Sequence, residues 1–227
     1  MPIRCAKFHY RKIFKMLSKF FQFIDIFVTW QTIDWATKYY KIKTGDTILD
    51  IGGYFGGFTI YAARTVGPNG KVICFEPDPC NIAILEKRIN KFKLNNVILV
   101  KKALSNKIGE IKLASNFAFS SIVGLSKSKK FFTVETSTLD SEMRFLNIGK
   151  IDLLKMNIEG AEIEAIGGAT EALKKVKHIV ISSHMRDGKP TADLLKPKLE
   201  NYGFKTKISC RLHQNLYGDK SDKIFRQ

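Results

Sequence analysis

ILDIGGYFGGFT, residues 48–59, decides how this chain folds. Residues 47–51 form a nearly unbroken apolar run, as a strand buried on both faces requires. The glycine cluster of 52–57 follows at once, and 58–65 then reads as a helix. A strand that hands over through glycines to a helix brings free backbone N–H groups to a ligand. Asp50, Gly52 and Gly56 make the pattern D-x-G-x-x-x-G, in which glycine permits a tight turn and close backbone approach. Packing alone can also demand such a turn.

The next stretch outward is VICFEPD, 72–78. Residues 71–75 read as the second strand, Asp78 as a helix N-cap and Pro79 as the first helical position. Glu76 lies at the carboxyl end of that strand, where a carboxylate can accept both hydroxyls of a ribose. A helix follows over 81–92 and a third strand over 97–100. Residues 110–114 and 131–136 read as extended, and the serine- and lysine-rich 120–130 between them as the most mobile loop. IDLLKMNIEGAE, 151–162, supplies a fourth strand over 151–157 and the opening of a helix that runs to about 176. A fifth strand over 178–183, a helix over 191–202 and strands over 204–208 and 212–217 complete the pattern. The alternation predicts an α/β fold, a doubly wound and mostly parallel seven-stranded sheet, with all its strands in one sheet and its ligand at their carboxyl ends.

Residues 1–40 are basic and aromatic. Tyr10, Ile13, Phe14, Leu17, Phe20, Phe21 and Ile24 follow helical spacing, with Arg11, Lys12, Lys15 and Lys19 mostly opposite. We read an N-terminal amphipathic helical extension over 1–40 and a single domain over 41–227. The extension either covers a flank of the domain, binds an anionic membrane surface, or gates the site. No apolar run reaches membrane-span length, and 20–30 lacks the small-residue cleavage site of a signal peptide. The expected location is cytoplasmic, with peripheral membrane attachment as an option.

The 227 residues carry 38 Lys and Arg against 21 Asp and Glu, a net charge of +17. That surplus favours anionic partners, although the lysines are spread along the whole chain. Cys5, Cys74, Cys80 and Cys210 form no C-x-x-C and no ligand spacing with histidine, so reduced thiols and no metal site are expected. Tyr54 stands where a dinucleotide fingerprint would need its second glycine, and no G-x-x-x-x-G-K-[ST] is present.

With these motifs in hand the chain resembles the FkbM-type methyltransferases, a class I Rossmann-like family. The resemblance rests on DIGGYFGGFT at 50–59, FEPDP at 75–79, KKALSNKIGE at 101–110, TSTLD at 136–140 and LLKMNIEGAE at 153–162. It covers roughly residues 45–184, and the last motif is the most specific. It implies methyl transfer from S-adenosylmethionine, typically to a hydroxyl of a sugar or small metabolite. Position by position it implies that Asp50, Gly52 and Gly56 line the methionine end of the cofactor, Glu76 holds its ribose, and Ala103 and Leu104 flank its adenine. Asn157 and Glu159 face the methyl group or the acceptor. The family usually carries aspartate where this chain has Asn157, and asparagine can neither act as a base nor bind a divalent ion well.

A hydroxyl acceptor favours a general base. His184, just past the fifth strand, is the first candidate, with Glu159 and Asp140 next; a structural histidine is the plain alternative. Glu162 reads as a first-turn helix residue favoured by the dipole. The expected partner is a small-molecule or glycan acceptor. An RNA methyltransferase remains the second reading, supported by charge but lacking an aromatic N/D-P-P motif after strand four. A non-catalytic cofactor- or membrane-surface-binding protein is the third.

Overall fold

The structure is a computed structural model; it describes residues 25–114, 131–210 and 214–221, together with the backbone of 121–122. In chain order the elements are α1 (25–36), β1 (Thr47–Ile51), α2 (Gly57–Val66), β2 (Lys71–Phe75), α3 (Pro79–Lys91), β3 (Val97–Val100), β4 (Ala103–Leu104), β5 (Gly109–Ala114), β6 (Ser121–Ile122), β7 (Phe131–Ser137), α4 (Leu139–Phe145), β8 (Ile151–Met156), α5 (Glu162–Gly167), α6 (Thr170–Lys175), β9 (Val176–Ser182), β10 (Met185–Arg186), β11 (Lys189–Pro190), α7 (Thr191–Asn201), β12 (Lys205–Cys210) and β13 (Gln214–Asp219).

Seven strands form the main sheet in the order β12-β13-β9-β8-β1-β2-β3. All its pairings are parallel except the two made by β13. The chain winds outward from β1 through β2 to β3, then returns to β8 on the other side of β1. The cleft outside the carboxyl ends of strands at such a reversal is where open α/β sheets hold ligands.

Strand periodicity divides the core. Leu49 and Ile51 of β1 and Leu154 and Met156 of β8 point to one face, packed under residues of α4, α5, α6 and α7. Ile48 and Leu153 point to the other, against Trp35 and Ala36 of α1 and Phe58, Ala62 and Ala63 of α2. The described part of the N-terminal extension is therefore integral to one layer. Residues 1–24, on which its helical spacing was read, lie outside the described residues.

Two expectations need correction. The strands do not share one sheet: β4, β7, β5 and β6 make a separate four-stranded sheet in the order β4-β7-β5-β6. The helix expected from Glu159 to about 176 is broken into α5 and α6, and Val176 already belongs to β9. Gly167 and Gly168 break it, and Gly168 lies so close to the chain that a Cβ there would sit 2.2 Å from the Ser105 carbonyl oxygen. The second half restarts on a borrowed cap. Asp140 of α4 accepts from the Thr170 hydroxyl at 3.0 Å and from the backbone N–H groups of Glu171 (3.0 Å) and Ala172 (2.7 Å). Asp140, a candidate base in the sequence, is thus committed to a helix terminus. The last strand, expected over 212–217, is present as Gln214–Asp219, and 212 and 213 lie outside the described residues. Helix α4 and the β10–β11 hairpin were not predicted. Most of 120–130 falls outside the described residues.

Candidate active site

One large cleft lies over the carboxyl ends of β1, β2 and β8, with an empty volume of about 1170 Å³ including its open mouth. Its floor is the turn after β1. Gly52 has φ 84°, and a Cβ there would lie 2.0 Å from the Asn157 carbonyl oxygen, so only glycine fits between the ends of β1 and β8. The Asn157 N–H bonds the Ile51 carbonyl at 2.9 Å and ties the same two ends together. Gly52 lines the cleft, as do Glu76, Ala103, Leu104, Asn157 and Glu159. Asp50 and Gly56 stand behind that wall, and a Cβ on Gly56 would press on Leu85.

Asp50 is fully buried, and both its oxygens are engaged. Oδ1 accepts from Lys155 Nζ and Oδ2 from the Thr59 hydroxyl, at 2.8 and 2.6 Å. Lys155 also donates to the Gly52 carbonyl at 2.8 Å, and it lines the cleft where Asp50 does not. Sequence reading passed over Lys155. The signal was present, since a lysine inside an otherwise apolar buried strand requires an acidic partner, and β1 offers Asp50 directly beside it in register.

Glu76 is 5% exposed. Its Oε2 accepts from the Tyr54 N–H (2.7 Å); its Oε1 accepts from the Asp78 N–H (3.0 Å) and from Asn81 Nδ2 (3.2 Å). Burial pushes its pKa up to about 7 against the opposing pull of those three donors. Asp78 and Pro79 start α3 as the sequence predicts. Tyr54 stacks on Phe55 with ring centroids 3.8 Å apart.

Beyond β8, Glu159 adopts φ 54°, a left-handed conformation that non-glycine residues seldom adopt. His184 holds this loop. Its Nδ1 lies 2.8 Å from Glu162 Oε1 and its Nε2 lies 3.5 Å from Glu159 Oε2. Burial lowers the imidazole pKa, but bonds to the two carboxylates outweigh it and carry it to about 10. His184 is therefore an imidazolium at neutral pH, and it does not line the cleft. Glu162, also fully buried, accepts from the Gly160 N–H at 3.1 Å, so it organises the 158–162 turn rather than simply opening a helix. Asn157 Oδ1 is buried and has no hydrogen-bond partner.

Helix α1 closes one side through Asp25, Val28, Thr29 and Thr32. The Asp25 carboxylate pairs with Arg88 of α3, which also donates to the Phe55 carbonyl at 2.8 Å. Gly57 leaves room for Thr29, whose hydroxyl would lie 1.9 Å from a Cβ there.

The family profile described as the methyltransferase FkbM domain matches residues 50–206. The chain belongs to the FkbM methyltransferase family. An FkbM domain is an S-adenosylmethionine-dependent methyltransferase domain, and the seven-stranded sheet is the one such domains use. The FkbM chain is similar to the 2-O-methyltransferase NoeI of Sinorhizobium fredii, 29% identical over 155 residues that cover 60% of this chain and 63% of NoeI. It is also similar to the hexuronic acid methyltransferase AglP of Haloferax volcanii, at 22% identity over 63% of this chain and 58% of AglP. It spans less than two thirds of the length of either relative. Among solved structures it resembles the FkbM methyltransferase of Methylobacillus flagellatus, with TM-score 0.59 and 15% identity over 79% of this chain and 45% of that one.

Proposed function

We propose that this FkbM domain transfers a methyl group from S-adenosylmethionine to a hydroxyl of a sugar or small metabolite, with Glu159 accepting the proton. The observation that carries the reading is the unpartnered, buried Asn157 Oδ1 next to Glu159 in a cleft that also presents Glu76. An orphan acceptor on a cleft wall is a place for a ligand donor. The cofactor fits the residues present. Glu76 is placed for the ribose hydroxyls, and Ala103 and Leu104 offer apolar contact for the adenine. Gly52 permits close backbone approach, and Tyr54 lines the cleft where a dinucleotide fingerprint would carry its second glycine. Asp50 contributes through Lys155, which it holds at the cleft wall.

When bound, the cofactor supplies an electrophilic methyl on a sulfonium. The chain's own task is to place the hydroxyl in line and remove its proton. Glu159 lines the cleft and carries a free carboxylate edge. His184, already protonated, cannot take a proton at neutral pH; it fixes Glu159 and balances the charge of Glu162. The relatives named for 2-O-methyl and hexuronic acid methyl transfer support a sugar hydroxyl as acceptor.

Calorimetric titration with S-adenosylmethionine and S-adenosylhomocysteine tests the first half, with micromolar binding expected and its loss in Glu76→Ala. Transfer of labelled methyl to glycans, small alcohols and RNA tests the second. Glu159→Gln is expected to lower kcat by about 10²–10⁴-fold while leaving S-adenosylhomocysteine affinity near that of the parent protein. Unchanged turnover in that variant sinks the base assignment; no cofactor binding by folded protein sinks the whole reading.

A further inference from the structure

Helix α1 has two opposed faces. At 100° per residue, Asp25, Val28, Thr29 and Thr32 share the side that lines the cleft. Ile26, Phe27 and Trp30 fall roughly half a turn away and are 60%, 50% and 60% exposed. Among the described residues nothing covers this apolar patch. The surrounding chain is basic: α3, which Arg88 joins to Asp25 on the cleft-facing side of α1, carries the exposed Lys87 and Lys91. Residues 1–24, directly preceding the patch, hold six basic residues and no acidic one.

We propose that the outer face of α1 docks on an anionic lipid bilayer, and that the acceptor is therefore a membrane-anchored hydroxyl compound, such as a lipid-linked sugar. The acceptor half of this proposal rests on the methyl-transfer reading above; the docking half does not. Aromatic and aliphatic side chains on one helical face beside a polybasic segment are the two signals that together hold a protein at an anionic interface. A second copy of the chain would bring the same positive charge against itself, so self-association is the weaker occupant. A helix is about 10 Å across. With its outer face among headgroups, the face that lines the cleft stands one helix diameter away, within reach of a head group on a lipid anchor. Among the described residues no helix is long and apolar enough to cross a membrane, so the contact is peripheral for these residues.

The test uses the whole chain and vesicles of phosphatidylcholine with and without phosphatidylglycerol. Sedimentation with the anionic vesicles is expected, weakening as salt rises. The two tryptophans give a direct readout, since Trp30 is exposed and Trp35 is 8% exposed in the core. Lipids brominated on their acyl chains should quench Trp30 emission, and Trp30→Phe, which keeps Trp35, should lose that quenching. The double variant Phe27→Ser, Trp30→Ser should bind anionic vesicles about tenfold more weakly or worse, with S-adenosylhomocysteine affinity unchanged. Equal binding to neutral vesicles, no quenching at low salt, or a dimer that the double variant abolishes without any vesicle binding would each overturn the proposal. Vesicle binding by a protein that binds no cofactor would leave the docking surface standing and remove the methyl-transfer reading and the acceptor inferred from it.

Discussion

Replacing Lys155 by methionine isolates the buried pair beneath the cleft. Lys155 and Asp50 have side chains 3% and 0% exposed, so neither charge has water to fall back on. Methionine keeps most of the lysine volume, and no large cavity forms. The substitution strips Asp50 Oδ1 and the Gly52 carbonyl of their shared donor, leaving the carboxylate with the Thr59 hydroxyl alone. Breaking one side of a buried ion pair costs about 3–5 kcal/mol, a large part of the ~5–15 kcal/mol that holds a typical domain together. Urea unfolding followed by circular dichroism should show the midpoint falling by roughly 1–3 M at constant m-value. Adding Asp50→Asn removes the stranded charge, so the double variant should be more stable than Lys155→Met alone; the two effects must not add. A Lys155→Met protein within about 1 kcal/mol of the parent would refute the energetic reasoning, as would a double variant less stable than the single one.

Three further outcomes follow from the site. His184 gains protons on folding between its ordinary 6.5 and about 10, so its stabilising contribution is fully present below 6.5 and is lost as pH rises through 10; the melting temperature should fall across that window less steeply in His184→Gln, and parallel curves would count against the imidazolium. Glu76 titrates near 7 and accepts hydroxyls best as a carboxylate, so S-adenosylhomocysteine affinity should rise from pH 6 to 8, a slope that Glu76→Gln should flatten. Gly52→Ala sets a Cβ 2.0 Å from a backbone oxygen at φ 84°; it should cost more than about 2 kcal/mol and abolish cofactor binding, and calorimetry showing normal binding would show that the turn can relax.

The central strands were legible because a strand buried on both faces must be apolar throughout. Residues 71–75 and 97–100 match β2 and β3, and 47–51 matches β1. The second sheet was not legible. Ala103–Leu104 is too short to carry a period, and β5 is exposed at one end and buried at the other, while β7 alternates only over part of its length. Nothing local says which sheet they join. The break at Gly168 depends on close packing against Ser105, and the restart of α6 depends on a carboxylate thirty residues upstream, so helical spacing alone ran through it. In the site, Gly52 and Glu76 were visible as motif positions. Lys155, the Glu162–His184 contact and the cleft-facing side of α1 were not singled out, because each takes its meaning from a partner distant in the chain.

The placement of β13 between β9 and β12 bears on how the protein is made. During translation β12 leaves the ribosome first, yet its neighbour in the sheet is β13. Until residues 214–219 emerge, β9 presents an open edge and β12 has nothing to pair with. Such an edge is a template for wrong pairing. A stop codon just before Gln214 would therefore remove one strand and leave another without its partner, so this edge of the sheet closes only with the last strand.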